Sequence, residues 1–189
     1  MDREDIEQIA RNTLQISREQ MYHLGEQWKE AMLRQNLMNE IQSHFAPDVI
    51  VGHSEEGDYS ILIETPYRHQ GKTNSIDLTL FHIDDVGNSN PFDNQLLAVE
   101  CKVGIDREKL QLDVTKLKRY VNPKSGSINF DFSMLLICSR KPLTYIPKSS
   151  TEVPVLVAFA NQGMSKPVLY WLGSPENEKV HEKIYQPPK

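Results

Sequence analysis

Apolar residues recur at helical spacing through the first 45 positions of the chain. Ile6, Ile9, Thr13, Ile16, Met21 and Leu24 form one series, and Trp28, Ala31, Met38, Ile41 and Phe45 form a second. One unbroken helix of that length is unusual in a compact domain. Gly25 is therefore expected to break it, and Ala46-Pro47 to end it, because the residue before a proline disfavours helix. The pattern then shortens to apolar runs with strand character: VIVG (Val49 to Gly52), YSILIE (Tyr59 to Glu64), SIDLTLFHI (Ser75 to Ile83) and QLLAVECKV (Gln95 to Val103). The turn-rich pieces SEEGD, RHQGKTN and DDVGNSNPFDN separate them. A helix is expected over roughly Asp106 to Val121, with Asp106 as N-cap and Leu110, Val114, Leu117 and Val121 as its apolar stripe. FSMLLICS, VPVLVAFA and a shorter VLYWL read as further strands, and the polar SPENEKVHEKIYQPPK as a loosely held tail. This order predicts an α/β domain around one central mixed β-sheet flanked by helices.

Composition narrows the function classes. The chain of 189 residues is 39% hydrophobic and 25% charged, enough for one domain with a sizeable core. A net charge of −5 gives no global basic field, so a polyanionic partner has to meet a local basic patch. The start, MDREDIEQIARN, is acidic and polar, unlike a secretory signal, and no apolar run approaches membrane-spanning length. Cys101 and Cys138 sit inside apolar runs and read as reduced core thiols, which places the protein in the cytoplasm. Two cysteines and scattered histidines do not make a zinc site, and Gly71-Lys72-Thr73 lacks the first glycine of a phosphate-binding loop.

The candidate chemistry lies in LLAVECKV. Residues two apart on a strand share a face, so Glu100 and Lys102 point the same way, while Leu97, Val99, Cys101 and Val103 take the other. An unpaired charge there costs several kcal/mol, on the order of a lost buried hydrogen bond or more. If SIDLTLFHI and QLLAVECKV form an antiparallel hairpin around DDVGNSNPFDN, Asp77 lies across from Glu100. Adjacent carboxylates repel unless a proton or cation joins them, and oxygen ligands of this kind suit partly hydrated Mg²⁺. An ordinary Glu–Lys ion pair in an unrelated fold is the bland alternative.

Asp77, then Glu100-Cys101-Lys102 on the following strand, then a helix, resembles the PD-(D/E)xK nuclease superfamily over roughly Met38 to Ala160. Ile76 stands where that family often has a proline. The resemblance implies a restriction endonuclease-like core over residues 26–173, with residues 1–25 as an added N-terminal helical segment and 174–189 as a polar tail. It implies a metal-dependent phosphodiester hydrolase acting on DNA, with Mg²⁺ (Mn²⁺ as substitute) held by Asp77, Glu100 and the backbone carbonyl of Cys101. Lys102 would orient the attacking water and stabilise charge. An acidic residue on the preceding helix is also implied, and Glu40 fits that position. On the helix after the strand, Lys109, Gln111, Lys116, Lys118 and Arg119 form a basic cluster that would contact DNA phosphates, or else simply solvate the helix. The spacing leaves open whether Gln111 or Lys116 faces the metal. The alternative function is a catalytically inactive module on the same scaffold, serving nucleic-acid binding or protein assembly, with residues 2–24 packing a homodimer.

Overall fold

A computed structural model of the chain describes residues 1–45, 49–51, 59–69, 72–82, 95–104, 106–122, 129–143, 145–176 and 179–180. The helical start breaks where the pattern predicts. The first helix, α1 (Arg3–Leu24), is opened by Asp2, whose carboxylate accepts the backbone N–H groups of Glu4 and Asp5. Asp5 reaches back to the Asp2 N–H, so two otherwise orphaned donors are satisfied reciprocally. Gly25 closes α1 at φ 56°, a left-handed conformation that favours glycine, and a short 3₁₀ turn (Gly25–Gln27) leads to α2 (Glu30–Phe45). The expected stop at Ala46-Pro47 lies outside the described residues.

Among the described residues, seven strands form one sheet in chain order: β1 (Val49–Val51), β2 (Tyr59–His69), β3 (Lys72–His82), β4 (Gln95–Val103), β5 (Phe132–Ser139), β6 (Val155–Asn161) and β7 (Val168–Trp171). The sheet is mixed: β1 and β2 are parallel, as are β4 with β5 and β5 with β6, while the remaining neighbours are antiparallel. The third helix, α3 (Arg107–Tyr120), makes the crossover between the parallel pair β4 and β5 and is capped by Asp106 as predicted. β2 and β3 each run 11 residues, so most of RHQGKTN is strand rather than turn. Arg68 and Thr73 pair across this hairpin, and backbone pairing there outweighs the turn-forming composition. The DDVGNSNPFDN loop, between Ile83 and Asn94, and the tail from His181 onward lie outside the described residues.

Both faces of the central strands are dry. Leu97, Val99, Cys101, Met134, Leu136, Cys138, Leu156 and Ala158 pack beneath α1 and α2, and Ala98, Leu135, Ile137, Val155, Val157 and Phe159 pack against α3. That explains runs such as MLLIC and VLVAFA, which are apolar throughout instead of alternating.

Residues 1–25, read above as an N-terminal helical segment, share the core of the sheet. Ile6, Ile9, Ala10, Leu14 and Met21 of α1 are buried in the same core as the sheet. α1 rests on β5, β6 and β7; Glu7 accepts the Trp171 indole N–H at 2.7 Å, and Arg3 lies 4.7 Å over the same ring. Most of the apolar stripe is thus covered within the chain, while Ile16 and Leu24 stay exposed. At the α1–α2 contact, the buried Asn36 side chain donates to Ser17 Oγ at 2.9 Å and to Gln20 Oε1 at 2.8 Å. Asn36→Ala leaves the fully buried Ser17 hydroxyl without this donor. The expected cost is about 1–3 kcal/mol, read as a lower urea midpoint at unchanged slope.

Candidate functional site

The end of β4 is where the core turns polar. The β3–β4 ladder runs through Leu80↔Leu97, Thr79↔Ala98 and Leu78↔Val99. Continuing that register sets Asp77 opposite Glu100, but here the side chain takes over from the backbone: Asp77 Oδ2 accepts the Cys101 N–H at 2.7 Å. Glu100 is only 3% exposed, so its carboxylate stands in a dry layer between the sheet and α3.

Lys102 sits at the centre of the group. Its ammonium donates to the Cys101 carbonyl at 2.9 Å and lies 3.6 Å from Asp77 Oδ2, 3.5 Å from Glu100 Oε2 and 3.8 Å from Asp113 Oδ2. From α3, Lys116 Nζ approaches Glu100 Oε1 at 3.8 Å and Asp113 Oδ1 at 3.5 Å. From α2, Arg34 lies 3.9 Å from Asp77 Oδ1 and holds Glu64 Oε1 at 2.9 Å. The β2–β3 pairs Ile63↔Leu78 and Thr65↔Ile76 leave Glu64 opposite Asp77, and Glu64 takes φ 51°. For a residue other than glycine such a conformation costs on the order of 1–3 kcal/mol, so the backbone is strained beside the carboxylates.

The electrostatics follow from burial and crowding. Burial, followed by the neighbouring Asp77 charge, pushes Glu100 up to about 7, against the pull of Lys116 and Lys102. Burial also raises Asp113 despite Lys102 and Lys116, and it raises Glu30 at the start of α2, where Asp77 and Asp113 add to the effect. Burial works against the charge of Lys102, but Asp113, Asp77 and Glu100 outweigh it and hold the ammonium above its ordinary value. Lys102 is therefore a firmly charged group and a poor proton acceptor, in keeping with orientation and charge stabilisation. The Cys101 thiol is pushed up by complete burial and offers no nucleophile.

The geometry brings together Asp77, Glu100, Lys102, the Cys101 carbonyl and Lys116, and so chooses Lys116 over Gln111. The Gln111 side chain instead accepts the Tyr145 hydroxyl. Lys109 pairs with Asp106 at 3.7 Å on the open surface, Lys118 donates to Ser149 Oγ at 2.9 Å, and Arg119 is exposed in the last turn of α3. The α2 acid in the field of the cluster is Glu30, not Glu40. Ten residues of helix put Glu40 about 15 Å further along the axis. His44, one turn beyond Glu40, reaches Asp5 of α1 at 2.9 Å, so that end of α2 faces another neighbour.

Sequence reasoning missed Asp113, Glu30 and Arg34. Asp113 carried a signal: it falls between Leu110, Val114 and Leu117 on the apolar stripe of α3, where a solvating aspartate has no place. Glu30 and Arg34, one helical turn apart, carried none, because the faint amphipathicity of α2 does not say which end meets the sheet.

Among the described residues no three acidic, histidine or cysteine side chains are already gathered to ligating distance. Four oxygens instead surround the Lys102 ammonium at 2.9 to 3.8 Å, against about 2.0–2.1 Å for direct Mg²⁺–oxygen bonds. Among the described residues, Glu100 Oε1 and Asp113 Oδ2 are buried without a hydrogen-bond partner, each facing a lysine ammonium at 3.8 Å, beyond hydrogen-bond length. The donors are all oxygens, as a partly hydrated Mg²⁺ would need, and the Lys102 ammonium occupies the point on which they converge. No family model, no curated protein and no solved structure matches this chain.

Proposed function

We propose that this α/β protein is a Mg²⁺-dependent phosphodiesterase acting on DNA, with a restriction endonuclease-like core. One observation carries the proposal: oxygens of Asp77, Glu100 and Asp113 and the Cys101 carbonyl converge on a single cationic point at the end of β4. Asp77, Glu100 and the Cys101 carbonyl would hold the ion, with Asp113 and Glu30 adding negative field. A divalent ion there supplies Lewis-acid polarisation of a phosphate oxygen and a bound water of lowered pKa. Lys102, freed from the carboxylates but anchored one residue from the Cys101 carbonyl, would orient that water and offset charge on the phosphorane. Lys116 would favour the ionised form of Glu100 without offsetting its burial.

The test is a titration. Mg²⁺ or Mn²⁺ is expected to raise the melting temperature by several degrees, and Asp77→Asn to abolish the rise. Under the same ions the protein should cleave at least one form of DNA among single-stranded, duplex and branched substrates. A melting temperature indifferent to both ions overturns the metal-centre reading.

The second reading is a catalytically idle module serving nucleic-acid binding or assembly, and one observation favours it. Lys102, Lys116 and Arg34 already compensate much of the cluster's negative charge from within the chain. A protein that binds DNA, ignores divalent ions and cleaves nothing is the outcome that would establish it.

A further inference from the structure

A cleft of ≈ 970 Å³ opens next to the cluster, between the α1–α2 junction and the C-terminal ends of the parallel strands β4 and β5. Its volume is at the upper end of the range that takes a whole ligand. Glu30 belongs to both: it lines the cleft and sits in the electrostatic field of Asp77, Lys102 and Asp113. Val103 of the cleft, in turn, follows Lys102 directly in the chain.

The walls are basic and open. Lys29 comes from the α1–α2 junction, and Arg140 and Lys141 from the segment leaving β5, all three with exposed side chains. They face two acids, Glu26 and Glu30; Glu26 is almost fully exposed and touches Arg140 only at 3.9 Å. The half-exposed Val103 adds an apolar surface at the lip. The indole N–H of Trp28, a lining residue that is 3% exposed, is buried with no acceptor among the described residues. The lysines of α3 have other commitments, to Asp106, to the carboxylate cluster and to Ser149. Exposed cations on an acidic protein, one of them held only by a long contact to Glu26, beside the proposed phosphodiesterase centre, are suited to phosphate oxygens.

We propose that this cleft is the track for a single nucleic-acid strand, with Lys29, Arg140 and Lys141 contacting its phosphates on the way to the cluster. The proposal rests on the phosphodiesterase reading and adds the binding path to it. The α3 face, which the sequence pattern singled out, is then not the main contact surface.

Binding of a fluorescently labelled oligo-dT strand, measured by anisotropy in EDTA, separates the two ideas because neither the ion nor cleavage takes part. Arg140→Glu with Lys141→Glu is expected to weaken binding at least about tenfold and to flatten its salt dependence. Lys29→Glu is expected to act in the same direction, and Lys109→Glu, on α3, to leave binding unchanged. The same measurements with an oligo-U strand report whether the track prefers DNA or RNA. Wild-type failure to bind either strand, unaltered binding in the cleft variants, or an equal loss in Lys109→Glu overturns the track. A retained Mg²⁺-dependent melting shift in that event leaves the metal centre standing. Conversely, cleft-dependent strand binding without any ion effect removes the catalytic reading and keeps the track.

Discussion

Asp77→Asn, Glu100→Gln and Lys102→Ala are each expected to lower the rate of DNA cleavage by about 10³-fold or more. The magnitude follows from the several kcal/mol that metal-assisted charge stabilisation contributes, at 1.36 kcal/mol per tenfold. The three variants should fail for different reasons, which makes the result specific. The two carboxylate changes remove ligands, so the Mn²⁺-dependent melting shift is lost together with activity. Lys102→Ala removes the ammonium around which the oxygens now gather, so the ion should bind at least as well while cleavage still fails. Single-turnover cleavage together with Mn²⁺ titration reads both properties. Full activity in any of the three variants refutes the assignment.

The second large effect concerns the metal-free protein. Glu100 titrates at about 7 when folded, against 4.5 when unfolded. Between these values the folded state holds a proton that the unfolded state has released, so stability falls as pH rises through this window. Stability that is present below about pH 4.5 should be about 3 kcal/mol lower above pH 7 from Glu100 alone, on the order of 1.36 kcal/mol per unit. Asp113 and Glu30 are raised as well and act in the same direction. Urea denaturation in EDTA at pH 5, 6, 7 and 8 should show this decline, and Glu100→Gln should flatten it, leaving a more stable but inactive protein at pH 8. Addition of Mg²⁺ should restore most of the loss in wild type, because a bound dication favours the ionised carboxylates. A wild-type slope indistinguishable from that of Glu100→Gln would show that this carboxylate is not strained by its surroundings.

Much of this architecture could be read from spacing alone. The Gly25 break, the Asp106 cap and the antiparallel pairing of β3 with β4 each follow from local chemistry acting on neighbouring residues. So does the shared face of Glu100 and Lys102, which is a property of any strand. What local pattern did not reveal depends on packing between distant elements. Whether Glu30 or Glu40 meets the site is decided by where α2 crosses the sheet, and both glutamates look alike from the sequence. Asp113 pairs with Lys116 of its own helix, as helical spacing allows, but that spacing does not show that it is also buried, 5% exposed, beside Lys102 of β4. The stripe on α1 was legible, but its partners were not, since they come from β5 to β7, more than 100 positions later.

That last separation has a kinetic consequence. Each strand of the sheet lies beside its predecessor in the chain, so the sheet can grow by accretion from one strand to the next. α1 packs against α2, its neighbour in the chain, but its contacts with β5, β6 and β7, including those of Glu7 and Arg3 with Trp171, wait for those strands. The side of α1 that rests on these strands is therefore expected to dock late in folding, after α2 has covered its other side.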